Sequence, residues 1–221
     1  MQAVILAAGD GGRIGHQIKA LLKVNETTLV TRLCSTFEAV GPTLVVVGYG
    51  ASAVVRELRP FIDSGKVRIV LNDKWETTDN AYSLALALDE RMDDSFVINV
   101  DTVFDSGLVR DRVWLPNTIA VKYKETTAED MQVKVAGGRI VQLAKDIDGE
   151  AEALVYCFSQ RLLRHCHAEL KENDGKHFEN IINLHNDGSL VPMDIYPFRA
   201  TEIDTAADYA EALALFEGGE E

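Results

Sequence analysis

The first half of the chain alternates short apolar runs with longer stretches of helical spacing. Each apolar run is bounded by Gly or Asp, and the alternation is strict as far as Asp101. Short apolar runs that alternate with helices are typical of βαβ units around a parallel sheet. We therefore expect an α/β fold, a three-layer α/β/α sandwich with a mostly parallel central sheet that is Rossmann-like in its N-terminal half. The predicted strands are 3–8, 43–47, 67–71 and 95–100, and the predicted helices are 29–40, 51–62 and 80–92.

The order of elements changes after Asp101. Predicted strands then follow one another with little helix between them, and Gly137-Gly138 separates two of them. Two adjacent glycines suit a hairpin turn because both take positive φ without strain. The second half is therefore expected to form a smaller, β-rich part. Its predicted strands are 118–123, 131–135, 139–143, 154–158 and 192–196, and its predicted helices are 160–172, 178–184 and one from about 205.

The length of 221 residues corresponds to one domain, since domains typically contain roughly 100–200 residues. No internal repeat or linker interrupts the pattern, and only residues 218–221, Gly-Gly-Glu-Glu, are expected to fray. We predict a single domain over 1–221 with two lobes, residues 1–101 and residues 102–221.

The net charge of −13 repels nucleic-acid phosphates and anionic membranes. No stretch approaches the roughly 18 apolar residues of a membrane span, and the apolar N-terminus has no basic segment before it. Cys34, Cys157 and Cys166 form no C-x-x-C pair, so we expect three free thiols in a reducing compartment. These features predict a cytoplasmic protein with no nucleic-acid or membrane partner, and they are compatible with a homodimer.

A glycine-rich turn follows the first predicted strand, in the sequence Leu6-Ala7-Ala8-Gly9-Asp10-Gly11-Gly12-Arg13. Such a turn lets backbone N–H groups close around phosphate oxygens. Arg13 and Lys19, six residues later, add the positive charge that a triphosphate needs. We predict a phosphate cradle. The alternative is a plain tight turn, which leaves Arg13 and Lys19 unexplained.

Two commoner glycine loops fit poorly. A dinucleotide fingerprint needs a third glycine where Ile14 stands and an acid about 20 residues further on, whereas the second predicted strand ends in Gly48. A P-loop needs Gly-Lys-Ser/Thr, and no such tripeptide occurs in the chain.

The motif L-A-A-G-x-G-x-R followed by K-x-L resembles the signature of nucleotidyltransferases that make nucleoside-diphosphate sugars, molybdopterin dinucleotides and CDP-alcohols. The likeness extends over most of the chain. Residues 72–75 and 79–84, which include Asn-Ala-Tyr-Ser, are similar to the corresponding stretch of phosphocholine and inositol-1-phosphate cytidylyltransferases. Ile18 departs from the family, which usually has Pro before the lysine. The resemblance implies a nucleotide site that comprises Leu6, Ala7, Ala8, Gly9, Gly11, Gly12, Arg13, Lys19, Asn80, Ala81 and Ser83.

Asp101 ends a predicted hydrophobic strand. Ligands bind beyond the carboxyl ends of strands in open α/β sheets, so an Asp there is placed for a cation that bridges nucleotide phosphates, although it could equally cap the next helix. By resemblance, Asp101 and Asp204 form the family's Mg²⁺ pair. Asp204 also fits a helix N-cap, together with Thr205, and the two readings are compatible. Two carboxylates suffice for Mg²⁺ because phosphates and water complete its shell.

Two lysines flank the predicted hairpin, Lys134 and Lys145. By resemblance, Lys145 matches the family lysine that meets the phosphate of the second substrate, although Ala144 and Asp146 replace the usual neighbours. An exposed lysine at a strand end is the alternative for Lys145 and is favoured for Lys134.

The histidines and aromatics are interpreted mainly as structural. His165-Cys166-His167 lacks the ligand spacing of a zinc site, and His177 and His185 are treated in the same way. Most aromatics are expected in the core, and Met131 and Cys157 stand where choline-specific enzymes tend to have tryptophans. The resemblance therefore favours a polyol phosphate or a phosphonate over phosphocholine.

We expect a Mg²⁺-dependent cytidylyltransferase that transfers CMP from CTP to a small phosphorylated alcohol or phosphonate and releases pyrophosphate. Arg13, Lys19 and Lys145 are the expected catalytic residues. Two alternatives stay open. One is a sugar-1-phosphate nucleotidyltransferase that uses UTP or dTTP. The other is an inactive nucleotide-sensing module of the same fold, which would not need Asp101 and Asp204.

Overall fold

The protein is described here by a computed structural model of residues 1–217. The expected frayed end, residues 218–221, lies outside the described residues. The strands are β1 Gln2–Ala7, β2 Lys23–Val24, β3 Thr27–Thr28, β4 Thr43–Val47, β5 Val67–Leu71, β6 Ser95–Asn99, β7 Thr102–Phe104, β8 Thr118–Tyr123, β9 Gln132–Ala136, β10 Arg139–Ala144, β11 Ala151–Phe158, β12 Val191–Asp194 and β13 Ala200–Glu202. The helices are α1 Leu29–Phe37, α2 Ala51–Glu57, α3 Arg59–Asp63, α4 Asn80–Glu90, α5 Gly107–Arg110, α6 Gln160–Glu172, α7 Phe178–Leu184 and α8 Ala206–Leu215.

Four parallel strands form the N-terminal half of the main sheet, in the order β6-β1-β4-β5. Ile5 of β1 is in register with Val45 of β4 on one side and with Ile98 of β6 on the other. Since these strands run in one direction, their carboxyl ends lie at the same edge of the sheet. The loops that follow β1 and β6 therefore meet there.

The C-terminal half extends the same sheet with antiparallel strands. β11 pairs antiparallel with β6, β8 and β9, and β12 adds a parallel strand beside β8. β9 and β10 form the expected hairpin, in which Gly137 and Gly138 have φ of 58° and 73°. The predicted turn is confirmed.

Helices cover both faces of the sheet. Ala3 and Ile5 of β1 face a core to which α1, α2, α5 and α8 contribute, whereas Val4 and Leu6 face a second core with α4, α6 and α7. The three-layer α/β/α fold with a parallel N-terminal half is confirmed. Cys34, Cys157 and Cys166 are buried free thiols, as expected.

The differences from the expected elements are local. The predicted helix 51–62 is two helices, α2 and α3, and the break at Leu58 comes just before Pro60, which cannot donate a backbone hydrogen bond. β2, β3, β7, β13 and α5 were not predicted, because elements of two to four residues show no periodicity. None of the helices within residues 1–217 is both long and apolar enough to cross a bilayer, and α6, with 13 residues, is the longest of them.

Candidate active site

A cleft of about 470 Å³ opens at the carboxyl ends of β1 and β6. Leu6, Ala7 and Ala8 line it from β1 and its loop, and Asn99, Val100 and Asp101 line it from β6 and the residues that follow. This is the edge at which open α/β sheets bind ligands. The predicted strand ends thus form one wall of the cleft.

The glycine-rich loop forms a second wall. Gly11 has φ of 62°, and a Cβ added there would lie 2.3 Å from the carbonyl oxygen of Gln17, so the loop requires glycine at this position. A Cβ on Gly9 would meet no atom within 4 Å. The N–H of Gly12 donates a hydrogen bond to Oδ1 of Asp10 at 3.2 Å. A backbone donor of this loop therefore already binds a negatively charged oxygen, and it could bind a phosphate oxygen in the same way.

Lys19 joins the two aspartates that were expected to hold a metal. Its Nζ donates to Oδ2 of Asp101 and to Oδ1 of Asp204, each at 2.8 Å. The side chains of Lys19, Asp101 and Asp204 are only 14%, 20% and 22% exposed. Burial alone would lower the pKa of Lys19, but Asp101 and Asp204 outweigh it and raise that pKa. Lys19 is therefore a fully charged ammonium between two carboxylates.

Two short strands bring these aspartates together. β7 and β13 form an antiparallel pair in which Thr102 is in register with Glu202. The N–H of Ile203 donates to the carbonyl of Asp101 at 3.0 Å. Asp101 immediately precedes β7 and Asp204 follows β13 by two residues, so the pairing of these strands holds the two aspartates near each other. The N-cap of α8 is Thr205, which forms a capping box with Asp208, whereas the side chain of Asp204, which was expected to share this role, contacts Lys19 and Arg13 instead.

Arg13 and Lys145 complete the basic part of the cleft. Arg13 Nη2 lies 2.9 Å from Oδ1 of Asp204, and Arg13 Nη1 lies 2.6 Å from Oε2 of Glu129. Burial opposes ionisation of Asp204, but Lys19, Arg13 and Lys145 together lower its pKa. The positive charges of the three predicted catalytic residues therefore all stabilise the ionised form of the same carboxylate, Asp204.

Asp101 and Asp204 fit a hard divalent cation by their chemistry. The Lys19 ammonium contacts one oxygen of each, which shows that the two carboxylates converge on a single point of positive charge. Within residues 1–217, no group of three or more His, Cys, Asp or Glu side chains is arranged to hold a metal. A cation here would have two protein ligands and would need phosphate oxygens and water for the rest.

The start of α4 lines the cleft beside the glycine-rich loop. Asn72 Nδ2 donates to Thr78 Oγ1 at 3.0 Å and to Ser83 Oγ at 3.1 Å, which holds the segment 72–83 together. Asn80 and Ser83 line the cleft. Ala81, which was expected in the nucleotide site, is fully buried in the core and does not line the cleft. The reason is helical geometry, since neighbouring residues on a helix face different sides.

The other predicted site residues lie together. The cleft lining includes Leu6, Ala7, Ala8, Gly9, Gly11, Gly12, Arg13, Lys19, Asn80, Ser83, Asp101, Lys145 and Asp204. Lys134 is exposed on β9 and is not among the lining residues, in agreement with the structural interpretation.

Several lining residues were not predicted from the sequence. They are Asp10, Ile18, Ala20, Asn72, Trp75, Thr78, Asp79, Asn99, Val100, Glu129, Met131, Tyr156, His177, Glu179 and Glu202. His177 was interpreted as structural and most aromatics were expected in the core. His177 and Trp75 line the cleft, and Tyr156 lines it although it is also buried in the core, as expected.

Glu179 and Glu202 are two of the unpredicted acids of the cleft, and both have a raised pKa. Burial raises the pKa of Glu179 to about 7, and Asp79 adds to the rise, whereas the neighbouring Tyr156 and Asn80 oppose it. The pKa of Glu202 is raised well above its usual range, mainly by burial and next by the negative charge of Asp101. Both residues lie on short C-terminal elements, α7 and β13, whose packing could not be read from composition.

Residues 3–180 match the family of MobA-like NTP transferase domains. A choline-phosphate cytidylyltransferase of Streptococcus pneumoniae is 29% identical over 136 residues, which cover 58% of this chain and 57% of the relative. A bifunctional IPC transferase and DIPP synthase of Archaeoglobus fulgidus is 29% identical over 152 residues, which cover 66% of this chain and 30% of the relative. The chain thus spans less than two thirds of the length of either relative.

Solved structures share the fold over nearly the whole chain. A CTP:phosphocholine cytidylyltransferase from Streptococcus pneumoniae has a TM-score of 0.81 at 20% identity and covers 98% of this chain and 99% of its own. An inositol-1-phosphate CTP transferase from T. maritima has a TM-score of 0.79 at 20% identity, with 99% and 97% covered. A Bacillus anthracis protein assigned as a glucose-1-phosphate thymidylyltransferase has a TM-score of 0.82 at 17% identity, with 97% and 94% covered.

Proposed function

The chain belongs to the family of MobA-like NTP transferase domains, which are nucleotidyltransferases, and we propose that it transfers CMP from CTP to a small phosphorylated alcohol or phosphonate with release of pyrophosphate. One relative at 29% identity is named as a choline-phosphate cytidylyltransferase, and this name supports a phosphorylated alcohol as the acceptor. The same name supports the cytidine preference.

The observation that carries the proposal is the cluster of charges at the mouth of the glycine-rich loop. Lys19 contacts both Asp101 and Asp204 at 2.8 Å, and Arg13 contacts Asp204 at 2.9 Å. When a polyanion and a cation bind here together, the basic side chains can move from the carboxylates to the polyanion, and the carboxylates can bind the cation instead. Every charged group then still has a partner of opposite charge. A nucleoside triphosphate with its divalent cation is such a ligand.

In the proposed reaction, an oxygen of the acceptor's phosphate or phosphonate attacks the α-phosphorus of CTP. A new P–O bond forms to the acceptor, the bond between the α-phosphorus and the bridging oxygen breaks, and pyrophosphate leaves with that electron pair. The attacking oxygen is already anionic, so no strong general base is required. The protein mainly has to align two anions and stabilise the charge that moves onto the leaving group.

Each basic residue has a part in this reaction. Arg13, Lys19 and the loop of Gly9, Gly11 and Gly12 hold the β and γ phosphates and stabilise pyrophosphate as it departs. Lys145, which acts on the same carboxylate as Lys19, holds the acceptor's phosphate near the α-phosphorus. The side chains of Asn80 and Ser83 face the nucleoside.

Asp101 and Asp204 would hold a Mg²⁺ ion. When bound, the ion supplies positive charge against the α-phosphate and orients it for in-line attack. Because the Lys19 ammonium contacts both carboxylates in this structure, Lys19 would have to turn toward the phosphates for an ion to bind there, and its flexible four-carbon side chain permits that movement.

The remaining expectations belong to the same proposal. Residues 1–101 bind the nucleotide and residues 102–221 bind the acceptor, within one domain. The protein works in the cytoplasm, without nucleic-acid or membrane partners, and its assembly as a homodimer is a further part of the proposal. The negative net charge of −13 supports the absence of nucleic-acid and membrane partners, and the free thiols support a reducing compartment.

The test is a panel of pyrophosphate-release assays. The purified protein is incubated with CTP, UTP, dTTP or ATP, each with glycerol 3-phosphate, inositol 1-phosphate, 2-aminoethylphosphonate, phosphocholine or glucose 1-phosphate. Lys19→Ala, prepared in parallel, reports contaminating activity. We expect turnover with CTP and a non-sugar acceptor.

The other outcomes identify the alternatives. Turnover with UTP or dTTP and glucose 1-phosphate would replace the proposal by a sugar-1-phosphate nucleotidyltransferase. Binding of CTP without turnover of any acceptor would show a nucleotide-sensing module.

A further inference from the structure

Glu179 is a buried carboxylate with an unsatisfied oxygen at the cleft. It is 1% exposed, it lines the cleft, and within the described part of the chain its Oε2 has no hydrogen-bond partner. The hydroxyl of Tyr156, also 1% exposed and facing the cleft, lies near enough to the Glu179 carboxyl to lower its pKa, but neither this hydroxyl nor Glu179 Oε2 has a partner in hydrogen-bond geometry there. Buried polar atoms without partners cost about 1–3 kcal/mol each, so two at one site point to a missing ligand.

We propose that Glu179 and Tyr156 bind a primary ammonium group at the end of the acceptor opposite its phosphate or phosphonate. The inference rests on the proposed function and names its substrate class: a small zwitterion that carries one anionic phosphorus group and one amine.

The surroundings of Glu179 make a cation the fitting ligand. The charged group with the largest effect on it is another acid, Asp79, and Glu202 lines the same cleft. A second buried acid, Glu152, shows the contrast, because Lys124 lies 2.9 Å from its Oε2. The fold thus provides a lysine for Glu152, whereas the amine of the substrate would take that place at Glu179.

Hydrogen-bonding capacity selects a primary amine. An ionised carboxylate only accepts hydrogen bonds, and an ammonium group offers three donors. A quaternary ammonium has no N–H donor and is bound by aromatic faces instead. Among the cleft-lining residues within 1–217, only Trp75 and Tyr156 of the Phe, Tyr and Trp residues are present, whereas several carboxylates line the cleft. The cleft therefore provides more oxygen acceptors than aromatic faces.

The anionic end of such a substrate would face Lys145. Lys145 follows β10, and α7, which carries Glu179, is attached to that strand by a hydrogen bond from Leu143 N to Asn183 Oδ1 at 2.9 Å. Both residues line the same cleft. A zwitterion would therefore meet a cation and an anion that the fold holds on neighbouring elements.

The test compares two acceptors that differ in one group, 2-aminoethyl phosphate and 2-hydroxyethyl phosphate, with CTP at saturation. We expect the wild type to prefer the amine by about 10-fold or more in kcat/KM, the scale for a hydrogen-bonded charge pair. Glu179→Gln should abolish this preference and leave turnover of the hydroxyl compound largely intact. Tyr156→Phe should reduce the preference less. Glu152→Gln, a buried glutamate that is not among the lining residues, should retain it.

A preference that is absent in the wild type, or that survives in Glu179→Gln, would overturn the inference while the transferase proposal stands. If no acceptor is turned over, the transferase proposal fails, and calorimetric titration of 2-aminoethyl phosphate still decides the inference. Binding to the wild type that weakens at least about 10-fold in Glu179→Gln supports it. Equal binding, or none to either protein, refutes it.

Discussion

Replacement of Glu179 by Gln should make the protein more stable at neutral and alkaline pH. The pKa of this carboxyl rises from 4.5 to about 7 on folding, mainly through burial. Between these two values the folded state binds more protons than the unfolded state, so the stability of the wild type falls as pH rises through this window. Gln does not ionise, so the variant escapes that loss.

The magnitude follows from the two pKa values. A rise from 4.5 to about 7 corresponds to a penalty of about 3 kcal/mol for the ionised wild type above pH 7, since each unit is worth about 1.4 kcal/mol. Below pH 4.5 the penalty disappears. The difference in unfolding free energy between Glu179→Gln and the wild type should therefore increase by about 3 kcal/mol in favour of the variant from pH 4.5 to pH 8.

Urea unfolding of both proteins at half-unit steps from pH 4.5 to pH 8.5 measures this difference, and constant effects of the amide cancel in its pH dependence. Glu211→Gln on α8 is the matched control, because Glu211 is already exposed to water in the folded protein. If the difference in unfolding free energy between Glu179→Gln and the wild type does not change with pH, the raised pKa of Glu179 is contradicted, because the carboxyl must then be solvated or paired in the folded state.

Three further predictions concern the cluster at the loop. Lys19→Ala should lower turnover by about 100-fold or more, the scale for one preorganised electrostatic donor, and Arg13→Ala should act in the same direction; near-normal rates would remove both from the mechanism. Asp101→Asn and Asp204→Asn should each raise the Mg²⁺ concentration for half-maximal activity, and an unchanged requirement in both would place the ion elsewhere. Gly11→Ala should destabilise the fold by about 1–3 kcal/mol in urea unfolding, because its Cβ would lie 2.3 Å from a carbonyl oxygen at positive φ; wild-type stability would show that the loop rearranges freely.

The nucleotide side of the cleft could be predicted because its signals are local. β1 and its loop are one continuous segment, and Asp101 ends a strand whose apolar run is evident. The role of Lys145 came from resemblance, since nothing nearby in the chain points to the cleft. Ala81 was assigned together with its neighbours in the motif, but helix α4 turns it into the core and away from the cleft.

The approach of Asp101 and Asp204 to the same lysine, Lys19, could not be derived from periodicity. It depends on β7 and β13, strands of three residues each whose partners are about 100 positions apart. Long-range pairing of such short strands leaves no pattern in either segment.

Glu179 was missed although a signal existed. Phe178, Ile181 and Ile182 are apolar at helical spacing, and Glu179 lies beside them in the same short helix. The burial of that face depends on α4, where Oδ1 of Asn80 accepts a hydrogen bond from Phe178 N at 2.7 Å. An acid in such a segment is ordinarily read as a solvated side chain, and only the packing of α7 against α4 reveals otherwise.

The fate of the individual phosphates tests nucleotidyl transfer most directly. CTP labelled with ³²P at the α or the γ position is incubated with the protein, Mg²⁺ and 2-aminoethyl phosphate, and the products are separated. We expect the α label in a CMP–acceptor conjugate and the γ label in pyrophosphate, in equal amounts. Transfer of the γ label to the acceptor, or its release as inorganic phosphate, would contradict it.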